Sequence, residues 1–350
     1  VLFGVTLAAA LGGAAYLVMR NREAARGAEF GTMKDLRASL AAADGQAGAP
    51  GGGGNQPLKL GAIIQSHPSD QMIYDLRPNL SVTFQRVPVT TNSCGMRERE
   101  LPLKKGANTY RIAVIGDSFT FGWGVREEEA FPRQLERILN QVIGRRSPDG
   151  QKNAGKEKRE VTSVEVLNFG VPGYSPFQEV ATFEEKALLY DPDAVILFFI
   201  ENDFGMPFFI RDLEQPQNLQ AVANIARLAQ AALSDGDDST EPPPAPKLPK
   251  EFDPNHALAR LVASASAHGT QVFLAINPKR NWRPIHKRLW VLKDTHEIRF
   301  MNFYDDFERM ITTRGYTKES LTLKGDQHPS PRKHTMLAEV MAPYFLEEIS

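Results

Sequence analysis

The stretch Ile112-Ala113-Val114-Ile115-Gly116-Asp117-Ser118-Phe119-Thr120 decides how the rest of the chain is read. Arg111 to Ile115 is a short, mostly apolar run that stops at Gly116-Asp117, as a buried strand does where it enters a turn. A serine placed directly after a strand of a parallel sheet stands at the strand's carboxyl end, where open α/β sheets put their sites. An Asp-Ser pair equally suits a turn or a helix N-cap, so the motif needs company before it implies chemistry.

Downstream, strand and helix patterns alternate. Phe131 to Ile143 has helical spacing, with Phe131, Leu135, Ile138, Leu139 and Val142 on one side. After a charged loop, Arg145 to Glu160, come a strand at Val164 to Phe169 and a helix at Pro176 to Tyr190. Ala194 to Ile200 is apolar throughout, as central parallel strands are. Leu258 to His268 predicts a helix, Val272 to Ile276 a strand, Ile285 to Thr295 a helix, Ile298 to Phe303 a strand, and Pro331 to Ile349 a closing helix. This alternation predicts a three-layer α/β/α sandwich, a mainly parallel five-stranded sheet with helices on both faces. An insertion at 205–255 interrupts it. Leu219 to Leu233 is helical in pattern, and the Asp- and Pro-rich Ser234 to Lys250 predicts a mobile loop.

Upstream, Val1 to Met19 is nearly all apolar and long enough to span a bilayer core, which predicts a membrane anchor; a cleaved signal peptide is the competing reading. Arg20, Arg22 and Arg26 flank it and taken alone would keep that side cytoplasmic, leaving sidedness open. Residues 20–56, with four glycines at 51 to 54, form a flexible linker containing a short helical stretch at 34 to 43. Residues 57–107 form an extension of short strands and turns packed on the main domain, which occupies 108–350. In a chain of 350 residues with 42% hydrophobic content, a formal net charge of -1 argues against nucleic-acid binding. The single cysteine, Cys94, excludes an internal disulfide and a Cys-rich zinc cage. Asp191, Asp193, Asp203, Asp305 and Asp306 have no metal-ligand spacing, and Gly122 and Gly124 suit a tight loop better than a phosphate cradle. No cofactor is implied.

A hydroxyl nucleophile needs a base within hydrogen-bond reach. Of seven histidines, His328 stands in Gly325-Asp326-Gln327-His328-Pro329-Ser330, just before the last helix, where a loop can carry it back over the sheet edge. Asp326 is placed to orient its imidazole. Asn168-Phe169-Gly170-Val171-Pro172-Gly173 follows the second strand, and Glu201-Asn202-Asp203 the third. A backbone N–H from the first, the Asn202 amide and the Ser118 N–H would make an oxyanion hole. Phe119, Phe121 and Trp123 suit either the core or the lining of an acyl or sugar pocket.

At these residues the sequence resembles the SGNH (GDSL-type) hydrolase family. Gly116-Asp117-Ser118 matches its first block, with Ser118 as nucleophile; Gly173, five residues after Asn168, the second; Asn202 the third; Asp326 and His328 the fifth. The resemblance covers about residues 108 to 350. It implies a flavodoxin-like sheet and ester hydrolysis or acyl transfer, with Ser118, His328 and Asp326 catalytic and Ser118, Gly173 and Asn202 as oxyanion donors. Two positions depart from the pattern: Glu201 replaces a common glycine, and Asp326 precedes the histidine by two residues rather than three. Asn92, Gly95 and Arg97 resemble an Asn-x-x-Gly-x-Arg element of membrane-linked members, with no catalytic role carried over. The expected protein is a membrane-anchored, extracytoplasmic esterase acting on carbohydrate or lipid esters. An O-acetyltransferase acting on polysaccharide and a non-catalytic polysaccharide-binding relative are the alternatives.

Overall fold

The computed structural model describes residues 58, 60–69, 71, 72, 74–145, 160–204, 254–278, 282–289, 291 and 297–349. The segments at 1–19 and 20–56, loop residues 146–159 and most of the 205–255 insertion lie outside them, as do the helices read at 34 to 43 and Leu219 to Leu233. Among the described residues no helix is long and apolar enough to cross a membrane.

Two antiparallel hairpins open the described chain: β1 (Ile64–Ser66) with β2 (Tyr74–Leu76), and β3 (Ser81–Phe84) with β4 (Val87–Thr90). The second turns through Gln85 and Arg86, both at positive φ (48° and 68°), the twist a two-residue hairpin loop requires. The main domain then runs β5 (Thr109–Ile115), α1 (Ser118–Phe121), α2 (Phe131–Gly144), β6 (Ser163–Asn168), α3 (Pro176–Glu185), β7 (Ala194–Phe199), α4 (Asn255–Ala267), β8 (Gln271–Ile276), α5 (Trp282–Arg288), β9 (Ile298–Met301), α6 (Tyr304–Thr313), α7 (Pro331–Met341) and α8 (Pro343–Leu346).

The five strands β5 to β9 form one parallel sheet in the order β6-β5-β7-β8-β9. This is the flavodoxin-like order, in which the direction of strand addition reverses between β5 and β7 and opens a crevice at their carboxyl ends. Both faces are buried, and strand alternation sorts the side chains. Ile112, Val114, Ile196, Phe198, Phe273 and Met301 pack with Phe131, Leu135 and Leu139 of α2, Phe307 of α6 and Leu337 of α7. Ala113, Ile115, Val195, Leu197, Leu274 and Ile298 pack with Val180 and Phe183 of α3, Leu258 and Leu261 of α4 and Ile285 of α5. The outer side of β6 is met by α2: the Asn140 amide donates to the Val164 carbonyl (2.8 Å) and accepts its N–H (3.0 Å), while Glu136 accepts the Val166 N–H (2.9 Å).

Several elements differ from the sequence pattern. The helix expected over 176–190 breaks at Lys186 and ends in a 3-10 turn, Ala187–Tyr190. The closing helix breaks where Pro343 starts α8. α5 begins three residues before the expected Ile285. The strand expected to Phe303 stops at Met301, and α6 follows it unforeseen, although Phe307, Met310 and Ile311 fall at helical spacing and pack on the core.

Candidate active site

Ser118 opens the four-residue α1 directly after β5. Asp117 caps that turn, its Oδ1 accepting the Phe119 N–H at 2.9 Å, and Gly122 at φ 84° ends it. Gly116 leaves room for the turn: a Cβ there would lie 2.1 Å from Thr120 Oγ1. Ser118 is nine-tenths buried.

His328 arrives 210 residues later in sequence, on a loop closed by a β-bridge between Thr322 and Pro329. The Leu323 N–H donates to the His328 carbonyl (2.9 Å) and the Ser330 N–H to Leu321 (2.9 Å), which fixes the loop on itself. Its imidazole Nε2 lies 2.9 Å from Ser118 Oγ, and its Nδ1 lies 2.6 Å from Asp326 Oδ1. With Asp326 ionised, the carboxylate takes the Nδ1 proton, leaving the Nε2 lone pair to accept from the serine hydroxyl. The two-residue spacing therefore reaches: Oδ1 also accepts the His328 backbone N–H at 3.0 Å. Partial burial works against the Asp326 charge, but these His328 bonds and the Trp123 indole outweigh it and hold its pKa below the ordinary value.

Trp123 has a part that sequence reading missed. Its ring stacks on the His328 ring (5.0 Å between centroids, 17° between planes), and its Nε1–H donates to Asp326 Oδ2 at 3.2 Å. Phe84 of β3 meets the same indole edge-on at 4.9 Å. The one signal in the sequence was a tryptophan near Ser118, whose N–H needs an acceptor wherever it is covered. Of the three aromatics suspected of lining a pocket, Phe121 is instead fully buried beneath the Arg97 guanidinium, and Phe119 is a core residue whose ring touches His328 (5.6 Å).

The two other residues expected as donors, Asn202 and Gly173, stand after the neighbouring strands β7 and β6. Asn202 lies in the turn Glu201–Phe204 after β7, its Nδ2 3.4 Å from Asp117 Oδ2, an oxygen also 3.4 Å from Ser118 Oγ. Burial pushes the Asp117 pKa upward, against the Phe119 N–H and the Asn202 amide. Glu201 is exposed. Gly173 stands two residues beyond Val171, whose N–H donates to the Gly116 carbonyl at 3.1 Å, so its turn runs beside the Gly116–Ser118 segment. That turn closes through the Tyr174 N–H to the Val171 carbonyl (3.2 Å), with Pro172 second and Gly173 third at φ 84°. This is a type II turn, which needs a positive φ at its third residue.

The Asn92-Gly95-Arg97 element is structural. Asn92 Oδ1 accepts the Cys94 and Met96 N–H groups. Arg97, buried, donates to the carbonyls of Phe121 (3.1 Å), Gly122 (2.6 Å) and Val125 (2.7 Å), holding the loop that carries Trp123. Among the described residues no group of three or more His, Cys, Asp or Glu side chains is arranged to hold a metal ion.

The family described as GDSL-like Lipase/Acylhydrolase matches residues 112–341. No curated protein matches the sequence. Solved structures similar to the chain include the esterase EstA from Pseudoalteromonas sp. (14% identity, 69% of this chain and 97% of that one, TM-score 0.40). Others are a lipase/acylhydrolase from Enterococcus faecalis (14% identity, 67% and 95%, TM-score 0.39) and an acetyl xylan esterase from Geobacillus stearothermophilus (16% identity, 69% and 94%, TM-score 0.39). At such scores the likeness carries no argument about substrate. The family match is different in kind, because it runs from within β5 to the end of α7 and takes in Ser118, Gly173, Asn202, Asp326 and His328. On that match the chain belongs to the GDSL-like lipase/acylhydrolase family, as an enzyme that cleaves ester bonds.

Proposed function

We propose that the chain is a serine esterase working through an acyl-enzyme, with Ser118 as nucleophile, His328 as the proton carrier and Asp326 as its orienting carboxylate. The observation that carries this is the unbroken relay from Ser118 Oγ to His328 Nε2 (2.9 Å) and from His328 Nδ1 to Asp326 (2.6 Å). His328 takes the Ser118 proton as Oγ bonds to the ester carbonyl carbon, and the carbonyl π pair moves onto oxygen. The Ser118 and Gly173 N–H groups and the Asn202 amide hold that charge, each donor contributing roughly 3 kcal/mol to lowering the barrier. Asn202 Nδ2 carries two hydrogens, so the one that Asp117 does not take is available to the oxyanion. Collapse of the adduct expels the alkoxide, which takes the proton from His328. Water, deprotonated by the same imidazole, then attacks the acyl carbon and releases the acid and the Ser118 hydroxyl.

The substrate we assign is a short-chain, acetyl-type ester of a carbohydrate or lipid, met at a membrane to which residues 1–19 tether the enzyme on the extracytoplasmic side. The support for tethering is length: 19 residues, nearly all apolar, span about 28 Å as a helix, close to a bilayer core. Fluorophosphonate labelling tests the chemistry: Ser118 becomes modified, and Ser118→Ala abolishes both labelling and turnover of p-nitrophenyl acetate without changing the melting temperature. A folded protein that resists the reagent sinks the scheme. Acetylated glycans and acyl lipids assayed side by side decide the alcohol. Recovery of the full-length protein in the soluble fraction of cells would refute the tether.

A further inference from the structure

Residues 58–107 precede the segment that matches the family, yet they bear on the crevice at its most sensitive point. Tyr74 of β2 is buried and its hydroxyl donates to the Pro172 carbonyl at 2.9 Å. That carbonyl and the Gly173 N–H belong to one peptide unit, and in a trans peptide the two point in opposite directions. Fixing the carbonyl toward Tyr74 therefore aims the N–H the other way.

The unit needs fixing. It is the central peptide of the turn Val171 to Tyr174, and types I and II of such a turn differ by a flip of this one peptide. Proline is accepted at the second position of both. Glycine at the third, having no Cβ, adopts φ of either sign at similar cost, so the local sequence alone does not choose. The turn stands at φ 84° for Gly173, the type II state, with its carbonyl on Tyr74. A flip would withdraw the N–H and present a carbonyl oxygen in its place, where negative charge develops.

Tyr74 is itself held. The Tyr174 hydroxyl donates back to the Tyr74 carbonyl, the two rings meet edge-on at 5.1 Å, and Gln178 of α3 donates to the Met72 carbonyl at 3.0 Å. On the far side of β2, Asp75 pairs with Lys186 at 2.6 Å. A donor on the carbonyl also polarises its peptide and strengthens the N–H as a donor.

We infer that Tyr74 is a positioning residue for ester hydrolysis: its hydroxyl locks the Pro172–Gly173 peptide in the orientation that offers the Gly173 N–H to the tetrahedral oxyanion. Its role rests on the assignment of Gly173 as an oxyanion donor. The lock acts on the transition state and not on substrate binding, so it separates kcat from KM.

The test uses the full chain, p-nitrophenyl acetate and five variants. Tyr74→Phe keeps the ring and removes the donor. It lowers kcat about tenfold, less than the hundredfold or more of losing an oxyanion donor outright, with KM unchanged. Phenylboronic acid, which forms a tetrahedral adduct with the serine, binds correspondingly more weakly. Lys186→Met removes a different anchor of the same strand; it lowers the melting temperature and leaves kcat alone. Should Tyr74→Phe fail to fold, Tyr174→Phe, which loosens the hold on Tyr74, carries the test with a kcat loss of about threefold at constant KM. Wild-type kcat in the folded Tyr variant, or an equal kcat loss in Lys186→Met, overturns the inference. Asn202→Ala, run alongside, tells the two levels apart. If it and Ser118→Ala keep turnover, the site assignment is wrong and the inference falls with it. If they lose turnover while Tyr74→Phe does not, the lock alone is wrong.

Discussion

Replacing Asp326 by asparagine changes one atom in the centre of a network, and the structure shows why that is costly. Its Oδ1 accepts from His328 Nδ1 (2.6 Å) and from the His328 N–H (3.0 Å), while Oδ2 accepts from the Trp123 indole (3.2 Å). All three partners are donors, and an amide has a single acceptor end. With its oxygen toward His328, its NH₂ faces the indole N–H. Flipped, the NH₂ faces Nδ1, which must then give up its proton, and the hydrogen moves to Nε2, where the Ser118 hydroxyl needs a lone pair. In the first orientation the imidazolium formed during attack also loses its counter-charge. At about 4 Å between charge centres and an effective dielectric near 20 the attraction is about 4 kcal/mol, and solvent reduces it to about 2. The Asp326 side chain is 35% exposed, which justifies that reduction. Adding about 1–2 kcal/mol for the hydrogen bond lost in either orientation gives about 3–4 kcal/mol, a fall of roughly 10²–10³ in kcat/KM. The assay is steady-state hydrolysis of p-nitrophenyl acetate, with the melting temperature checked. An asparagine variant within about threefold of wild type would refute the reasoning, since no carboxylate would then be needed.

Other outcomes follow from the same geometry. Trp123→Phe keeps a ring over His328 but removes the donor to Asp326, so kcat falls about three- to tenfold with folding intact; an unchanged kcat argues that stacking alone suffices. Arg97→Met leaves the carbonyls of Phe121, Gly122 and Val125 without their buried partner and costs about 3–5 kcal/mol, read from urea unfolding. His334 sets an acid limit on stability. Burial, then Lys333, Arg97 and His328, lower its pKa to about 3, and its Nδ1 accepts the Phe131 N–H at 3.1 Å. Below about pH 6.5 the unfolded chain binds a proton that the folded one refuses, so its contribution is complete above that pH and is lost as pH falls toward 3. The loss approaches about 4–5 kcal/mol across the window. A His334→Gln variant has a flatter fall of melting temperature with acid, and a slope equal to wild type would exclude this residue.

The sheet was legible because its strands are buried on both faces: Ala194 to Phe199 presents six apolar residues in a row, which no half-exposed strand or surface helix does. Ser118, Asp326 and His328 were legible because each sits where a loop returns to the strand ends, and they meet within hydrogen-bond distance. What stayed hidden was contact at a distance. Nothing around Trp123 names an acceptor 203 residues away, and nothing around Tyr74 names a carbonyl 98 residues on. Short or one-sided elements were hidden too: α1 has four residues and follows from a cap rather than a period.

The meeting of α2 with β6 has a consequence for how the molecule behaves among its own copies. A strand at the margin of a sheet is a template for any extended segment that drifts past, since its backbone groups on that side ask for partners. At Val164 the carboxamide of Asn140 answers both groups as a neighbouring chain would, and Glu136 answers the next at Val166. Those three backbone groups of the margin are occupied by the protein's own side chains and are then not offered to a passing strand. The opposite margin, β9, offers a tract of four residues, with Arg299 tied to Glu348 beside it. Among the described residues the sheet is guarded at one border by mimicry and at the other by brevity.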